Sequence, residues 1–315
     1  MRKTLFLNKP DMLSGAMFKP LLFALPFLAI TSLIACQSET ASPQNEPQAS
    51  GSWPHLMDRL NCLPEEGVLV AAHRGTSRKQ GLAENAIESL EALYAGGVRV
   101  AEIDVAKLRS GEHVLFHDGV WEDKSTGQGA VAQSRWRDVQ NYLLRDTDGG
   151  LSTARPSLLS NALQYAKGRL HLEIDFKSSA DYGEVIQIIR ANNMSNDVVL
   201  IAYSAGQAKA LVRQAPDMLV SVSVKNRSDI QALEKSGVKK SQMMGWIGKS
   251  EDRSLQKFLQ EQNIPVLAQE SGRRAPFNEA DIFVTDYALS KRVFEGAMGL
   301  SPRGKADYQA CLEGT

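Results

Sequence analysis

The sequence predicts an α/β chain that closes into a TIM-type (β/α)8 barrel, with an excursion after strand two. Three observations carry this. Eight short apolar runs recur at 68–72, 98–105, 170–176, 197–202, 218–224, 243–247, 264–268 and 282–284, and runs of that length bounded by turn residues are how buried parallel strands read. Helical patterns separate the runs, which gives βα units around a parallel sheet. Eight is the number at which such a sheet closes, and 315 residues suits a single barrel of this kind. An open, doubly wound sheet is the competing architecture. The lack of a Gly-rich phosphate loop after the first run argues against it.

The chain opens on a segment that does not belong to the barrel. Residues 21–35 are apolar and follow Lys19-Pro20. That is short for a membrane span and suits a signal-peptide core. The segment ends Leu33-Ile34-Ala35-Cys36, which resembles the lipobox of bacterial lipoproteins. The resemblance implies a signal over 1–35, lipid attachment to Cys36 and, with Gln37 behind it, an outer-membrane anchor facing the periplasm. An uncleaved anchor helix is the alternative. Residues 36–52 are rich in Ser, Pro, Gln and Glu with no apolar period and read as a disordered tether. Residues 53–315 form the expected barrel domain. Cys62 and Cys311 remain. In an exported protein a cysteine pair tends to oxidise, and a closed barrel brings these ends together, so a disulfide is expected; two unrelated cysteines are the alternative.

Within the barrel, Asn85 reads as the N-cap of a helix over 86–95, with Glu88 three residues on. Ile87, Leu90, Leu93 and Tyr94 form its apolar face, and Gly96-Gly97 stops it. A short strand at 114–116 precedes an irregular polar stretch to about residue 155, long for a plain connection and read as an excursion over the site. A helix follows Pro156 as far as Ala166. In the run at 170–176, alternation puts Leu172, Ile174 and Phe176 on one face and His171, Glu173, Asp175 and then Lys177 on the other. Four polar residues in a row on one face of a buried strand require a ligand or metal to satisfy them. Later helical patterns cover 182–190, 208–214, 230–235, 254–261 and 289–297.

The residues able to do chemistry cluster at strand ends. The first run ends in His73-Arg74-Gly75, the second carries Glu102-Ile103-Asp104, and the short strand delivers His117-Asp118. Glu102, Asp104 and Glu173 all point into the barrel by alternation. Three such carboxylates repel one another unless a cation or a proton relieves them, and hard oxygen ligands favour Mg²⁺ or Ca²⁺. No C-x-x-C or H-E-x-x-H signals zinc. The bland alternative pairs Glu102 or Asp104 with Arg99, Lys107 or Arg74 in structural ion pairs. Acidic and basic residues number 36 each, so the chain has no net charge and no basic stripe to suggest a nucleic-acid partner.

Taken in order and spacing, His73-Arg74-Gly75, Glu84-Asn85, Glu102-x-Asp104, His117-Asp118, Thr126-Gly127-x-Gly129, Glu173 and Thr285-Asp286 resemble the glycerophosphodiester phosphodiesterase family, over roughly residues 66–300. The resemblance implies metal-dependent hydrolysis of glycerophosphodiesters to glycerol 3-phosphate and an alcohol. It assigns His73 and His117 as the acid–base pair, a task that histidine's pKa suits, and Glu102, Asp104 and Glu173 as metal ligands. Arg74 and Lys177 suit phosphate oxygens. Lys177 stands in for the lysine of the family's Glu-x-Lys motif, from which Glu173-Ile174-Asp175 departs. Asp175 is then a further metal ligand or a partner of Lys177, and Asp286 supports the site. The run at 264–268 lacks the Trp-Thr that the family often carries there. Trp246, Tyr203 and Trp121 are candidate pocket walls, although ordinary packing accounts for each. His55, His113 and His171 read as structural. Two other functions fit the same pattern: a lysophospholipase D-type enzyme on this fold, and a non-catalytic envelope-binding lipoprotein.

Overall fold

The computed structural model describes residues 53–64, 67–250, 252–269, 280–291, 293 and 302–314. The expected export signal and tether, and most of the helix expected at 289–297, lie outside the described residues. Eight parallel strands close a barrel: β1 (Leu69–Ala72), β2 (Val100–Lys107), β4 (His171–Phe176), β5 (Val198–Ala202), β6 (Leu219–Ser223), β7 (Met243–Gly248), β8 (Val266–Gln269) and β9 (Ile282–Thr285). Pairing runs in order from β2 through β9, and β1 closes the ring against both β9 and β2. A further strand, β3 (His113–Leu115), lies antiparallel on the outer half of β2. The eight residues of β2 make this possible, since Val100 and Ala101 pair with β1 while 105–107 pair with β3.

The strands alternate between two environments. Outward side chains such as Ala101, Ile103, Leu172 and Ile174 are fully buried against the helices α2 (Ile87–Ala95), α4 (Leu159–Ala166), α5 (Tyr182–Ala191), α6 (Ala205–Gln214), α7 (Arg227–Lys235) and α8 (Arg253–Glu261). Each such aliphatic side chain contributes roughly 1.5–3 kcal/mol. Several helices start where the sequence supplies an acceptor: Asp181, Ser204, Asn226 and Asp252 each cap with their side chains. Inward side chains change character along the strands. At the N-terminal ends Leu69, Val100, Val199, Leu267 and Ile282 form an apolar plug, sealed by Leu56 of α1 (Leu56–Asn61). At the C-terminal ends they become Glu102, Asp104, Glu173 and Asp175.

The floor of the barrel is fastened covalently. Cys62 follows α1, and its disulfide to Cys311 in the C-terminal helix α9 (Pro302–Glu313) is present, with Cα atoms 5.7 Å apart. Beneath the plug, Arg59 donates to His171 Nε2 at 2.9 Å, and the Trp53 indole N–H donates to Asp197 at 3.0 Å. His171 and His113 are thus buried structural histidines, as expected. Among the described residues no helix is long and apolar enough to cross a membrane.

Three details differ from the sequence reading. Ala86, not Asn85, is the N-cap of α2, and it supplies no side-chain cap. Asn85 has φ 57° and uses its amide elsewhere. The helix after Pro156 begins only at Leu159, because Ser157 first accepts a hydrogen bond from Leu115 N across to β3. The excursion between β3 and α4 is not a plain polar loop. Phe116, Trp121, Val131, Val139, Leu144 and Ala154 pack with Ala83, Ala86 and Val114 into a small core of their own, around the short helix α3 (Trp136–Val139). Gly127 belongs to this packing, since a Cβ there would lie 2.1 Å from the Tyr142 ring.

Candidate active site

The barrel opens at the C-terminal ends of its strands into a cavity of about 310 Å³ lined by His73, Glu102, Asp104, His117, Glu173, Asp175, Lys177, Tyr203 and Trp246, with Ser221, Ser223 and Gln269 opposite. Strand ends place ionisable side chains here for a simple reason. The parallel ladder spends its own polar groups on neighbouring strands, so the charged side chains can only face the open end of the barrel.

Register sets the acidic cluster. Pairing of β2 with β4 places Glu102 opposite Glu173 and Asp104 opposite Asp175. The carboxylates whose oxygens converge within 4.8 Å of one another are Glu102, Asp104 and Asp175. The convergent set therefore differs by one residue from the set expected from sequence. Asp175 sits level with Asp104, nearer the mouth, whereas Glu173 lies one inward step deeper on β4, level with Glu102. Glu173 still lines the cavity, and its Oε1 has no hydrogen-bond partner among the described residues. Burial pushes its carboxyl up to about 7. Burial, and then the neighbouring Asp104, holds Glu102 well above the usual carboxylate range.

Each member of the cluster is oriented. Glu102 Oε2 accepts the Arg74 backbone N–H at 2.7 Å. Asp104 Oδ2 accepts from Asn85 Nδ2 at 2.7 Å, and Asn85 Oδ1 accepts the Asp104 N–H at 2.9 Å, so one amide clamps both ends of that residue. Lys177 Nζ bridges Asp104 Oδ1 at 2.5 Å and Asp175 Oδ2 at 2.7 Å. Burial alone would lower the lysine pKa, but the two carboxylates outweigh it and keep the ammonium charged. The structural ion pairs weighed as alternatives do not form here. Arg99 donates to the carbonyls of Tyr94 and Val98, and Lys107 pairs with Glu184.

Each of the two histidines is backed by a carboxylate, and Arg74 contacts His117. His73 Nδ1 lies 2.7 Å from Asp286 Oδ1, and the hydrogen bond to His73 lowers the Asp286 pKa. An Nδ1–H donated to a carboxylate leaves Nε2 as the basic nitrogen. His117 Nδ1 lies 2.8 Å from Asp118, and its Nε2 is 3.0 Å from Arg74 Nη2. Arginine only donates, so this Nε2 is the acceptor in this arrangement. Arg74 itself has φ 54°, a left-handed conformation that costs a non-glycine residue on the order of 1–3 kcal/mol. Glu84, 3.1 Å from Nη1 and also within 3.5 Å of Lys124, holds it there together with Glu102.

The structure thus brings His73, His117, Arg74, Lys177, Glu102, Asp104, Glu173 and Asp286 to one end of the barrel. Cys36 lies outside the described residues. Trp246 and Tyr203 line the cavity, whereas Trp121 is buried in the satellite core. Sequence reasoning gave no site role to Glu84 or Asp118 and read Asn85 only as a helix cap, although all three lay inside quoted motifs, and it left Asp175 undecided. The alternation on β4 was the signal for Asp175; nothing in the sequence pointed to the Asn85 clamp. The donor set fits a hard divalent cation: buried carboxylate oxygens, two of them in Glu173 and Asp175 without hydrogen-bond partners, and no soft ligand.

Comparison with known proteins agrees. The model of the glycerophosphoryl diester phosphodiesterase family matches residues 73–270. The fold is similar to a glycerophosphoryl diester phosphodiesterase from Parabacteroides distasonis, at TM-score 0.71 and 23% identity, covering 80% of this chain and 94% of that one. It is also similar to an Oleispira antarctica phosphodiesterase solved in complex with the product sn-glycerol-3-phosphate, at TM-score 0.56 and 16% identity, covering 76% and 98%. Over 114 residues the chain is 29% identical to the uncharacterized protein y4eD of Sinorhizobium fredii, which aligns over 36% of this chain but only 30% of its own length.

Proposed function

We propose, since the chain belongs to the glycerophosphoryl diester phosphodiesterase family and is a phosphoric diester hydrolase, that it cleaves glycerophosphodiesters to glycerol 3-phosphate and an alcohol. The observation that carries this is the pair of carboxylate-backed histidines beside a buried acidic cluster. The product bound to the Oleispira relative supports glycerol 3-phosphate as the product here.

In this reading Glu102, Asp104 and Asp175, with Glu173 beside Glu102, would hold a divalent cation, which would supply Lewis-acid chemistry. The protein's own groups do the rest. Arg74 and Lys177 offset charge that builds on the phosphoryl oxygens. His73, with Nδ1–H fixed on Asp286, takes the nucleophile's proton at Nε2. When Arg74 turns to the phosphate, His117 Nε2 is released from it, takes up a proton and delivers it to the leaving alkoxide, while Asp118 steadies the imidazolium.

A soluble diester is the first substrate to test, and a lysophospholipid the second. Trp53 stacks near His171 at the start of β4 and bonds Asp197 just before β5, at the pole opposite the cavity. On this reading the protein is an outer-membrane lipoprotein with its mouth facing the periplasm. The test is glycerol 3-phosphate release by the full chain from glycerophosphocholine and glycerophosphoethanolamine, with EDTA, Mg²⁺ and Ca²⁺ arms and a His117→Ala control. Cation-dependent release lost in the variant is expected. Turnover of lysophosphatidylcholine alone would favour the lysophospholipase D reading, and no turnover of any diester would remove the hydrolytic one.

A further inference from the structure

We infer that Tyr203 is a positioning residue for the acidic cluster, its hydroxyl fixing which oxygen of Asp175 is offered to a cation. The inference rests on the cation reading above. Tyr203 follows β5 at the mouth and is 61% exposed, unusual for a large aromatic ring. Its hydroxyl nevertheless reaches inward and donates to Asp175 Oδ2 at 2.9 Å, although Asp175 is only 6% exposed. The ring therefore stands on the rim with its polar end in the site.

The residue is anchored from behind. Its backbone N–H donates to Gln207 Oε1 at 2.9 Å, and the next residue, Ser204, caps α6 through Gln207 N. Tyr203 is thus attached to the start of a helix rather than to a free loop end. At Asp175 the consequence is asymmetric. Oδ2 accepts from both Lys177 Nζ and Tyr203 Oη, whereas Oδ1 is buried with no hydrogen-bond partner among the described residues. A carboxylate with one oxygen held twice and the other bare is set up as an oriented ligand. Partners that orient a ligand in this way typically change metal affinity by 10–100-fold. Without the phenol, Oδ2 keeps only Lys177, which Asp104 also claims, and the carboxylate gains freedom to rotate.

The experiment compares the full chain with its Tyr203→Phe variant by calorimetric titration with Ca²⁺ and with Mg²⁺, alongside melting temperatures without cation. The variant is expected to bind 10–100-fold more weakly, with an unchanged melting temperature. The cation concentration giving half-maximal activity should rise by the same factor, while kcat at saturating cation recovers to within a few-fold of wild type. Equal affinity in the two proteins would overturn the inference and leave the cation reading standing. A wild-type chain that binds neither ion would overturn both. A lowered melting temperature, with kcat not restored by excess cation, would make Tyr203 a structural residue and overturn the inference.

Discussion

Replacing Asp175 by Asn and, separately, Glu173 by Gln tests which carboxylate of β4 completes the cation site. Asp175 shares the cluster with Glu102 and Asp104, and its Oδ1 is bare. At a ligand distance of about 2.4 Å and an effective dielectric of about 20, one carboxylate attracts each unit of cation charge by roughly 7 kcal/mol before dehydration is counted. Lys177, 2.7 Å from Oδ2, already draws on part of that charge. We expect Asp175→Asn to weaken Ca²⁺ or Mg²⁺ binding at least ~100-fold, about 2.8 kcal/mol. Glu173 starts elsewhere: it stands outside the convergent triad, and burial raises its pKa to about 7. We expect Glu173→Gln to weaken binding by less than ~10-fold, under about 1.4 kcal/mol. The two variants also part on stability without cation. A carboxyl raised from 4.5 to about 7 on folding opposes folding once ionised. The penalty is absent below about pH 4.5, grows through the window up to 7, and reaches at most about 3 kcal/mol above it. Glu173→Gln should therefore raise the urea midpoint at pH 8 and leave it almost unchanged at pH 4.5. Calorimetric titration at pH 7 with urea unfolding at both pH values reads all of this. Abolished binding in Glu173→Gln, with near-normal binding in Asp175→Asn, would refute the assignment drawn from the convergence of the carboxylate oxygens.

The remaining predictions concern the floor of the barrel. The Cys62–Cys311 bond closes a loop spanning 249 positions, so the Cys62→Ser/Cys311→Ser variant should lose about 3–5 kcal/mol in urea unfolding. Its diesterase activity under native conditions should be retained, since the bond lies at the pole away from the cavity; an unchanged urea midpoint would contradict the expectation. His171 is held below its ordinary 6.5 by burial, helped by the Arg59 charge and opposed by Asp197. A depressed histidine pKa means that the unfolded chain takes up a proton the folded one resists. Stability should accordingly be full above about pH 6.5 and fall as pH drops below it. His171→Gln, which keeps an acceptor for Arg59, should flatten the acid limb below about pH 6.5, and parallel stability curves for the two proteins would rule this out.

Much of the fold was legible because its causes are local. Each strand is a short apolar run bounded by turn residues, and α5 to α8 each begin behind an Asp, Ser or Asn whose side chain caps the helix. Where the reading failed, a distant partner had overridden a local preference. Asn85 has the chemistry of an N-cap, but two hydrogen bonds to Asp104, nineteen residues away, hold it in a left-handed conformation instead. The polar stretch after β3 looked like a loop because its apolar residues are scattered with no period. They form a core only once Ala83, Ala86 and Val114 meet them.

The same division runs through the site. Sequence alone determined the parallel barrel and placed His73, His117, Glu102, Asp104 and Lys177 at strand ends, because a strand's two-residue period fixes which side chains share its inner face. Tertiary structure decided what no single strand encodes: that Asp175 rather than Glu173 stands level with Asp104, that Asp286 and Asp118 each back one histidine, and that Tyr203 reaches in from the rim. Those relations depend on how neighbouring strands are staggered and where loops descend. Both are set when the barrel closes, so they are properties of the whole sheet and not of any one segment.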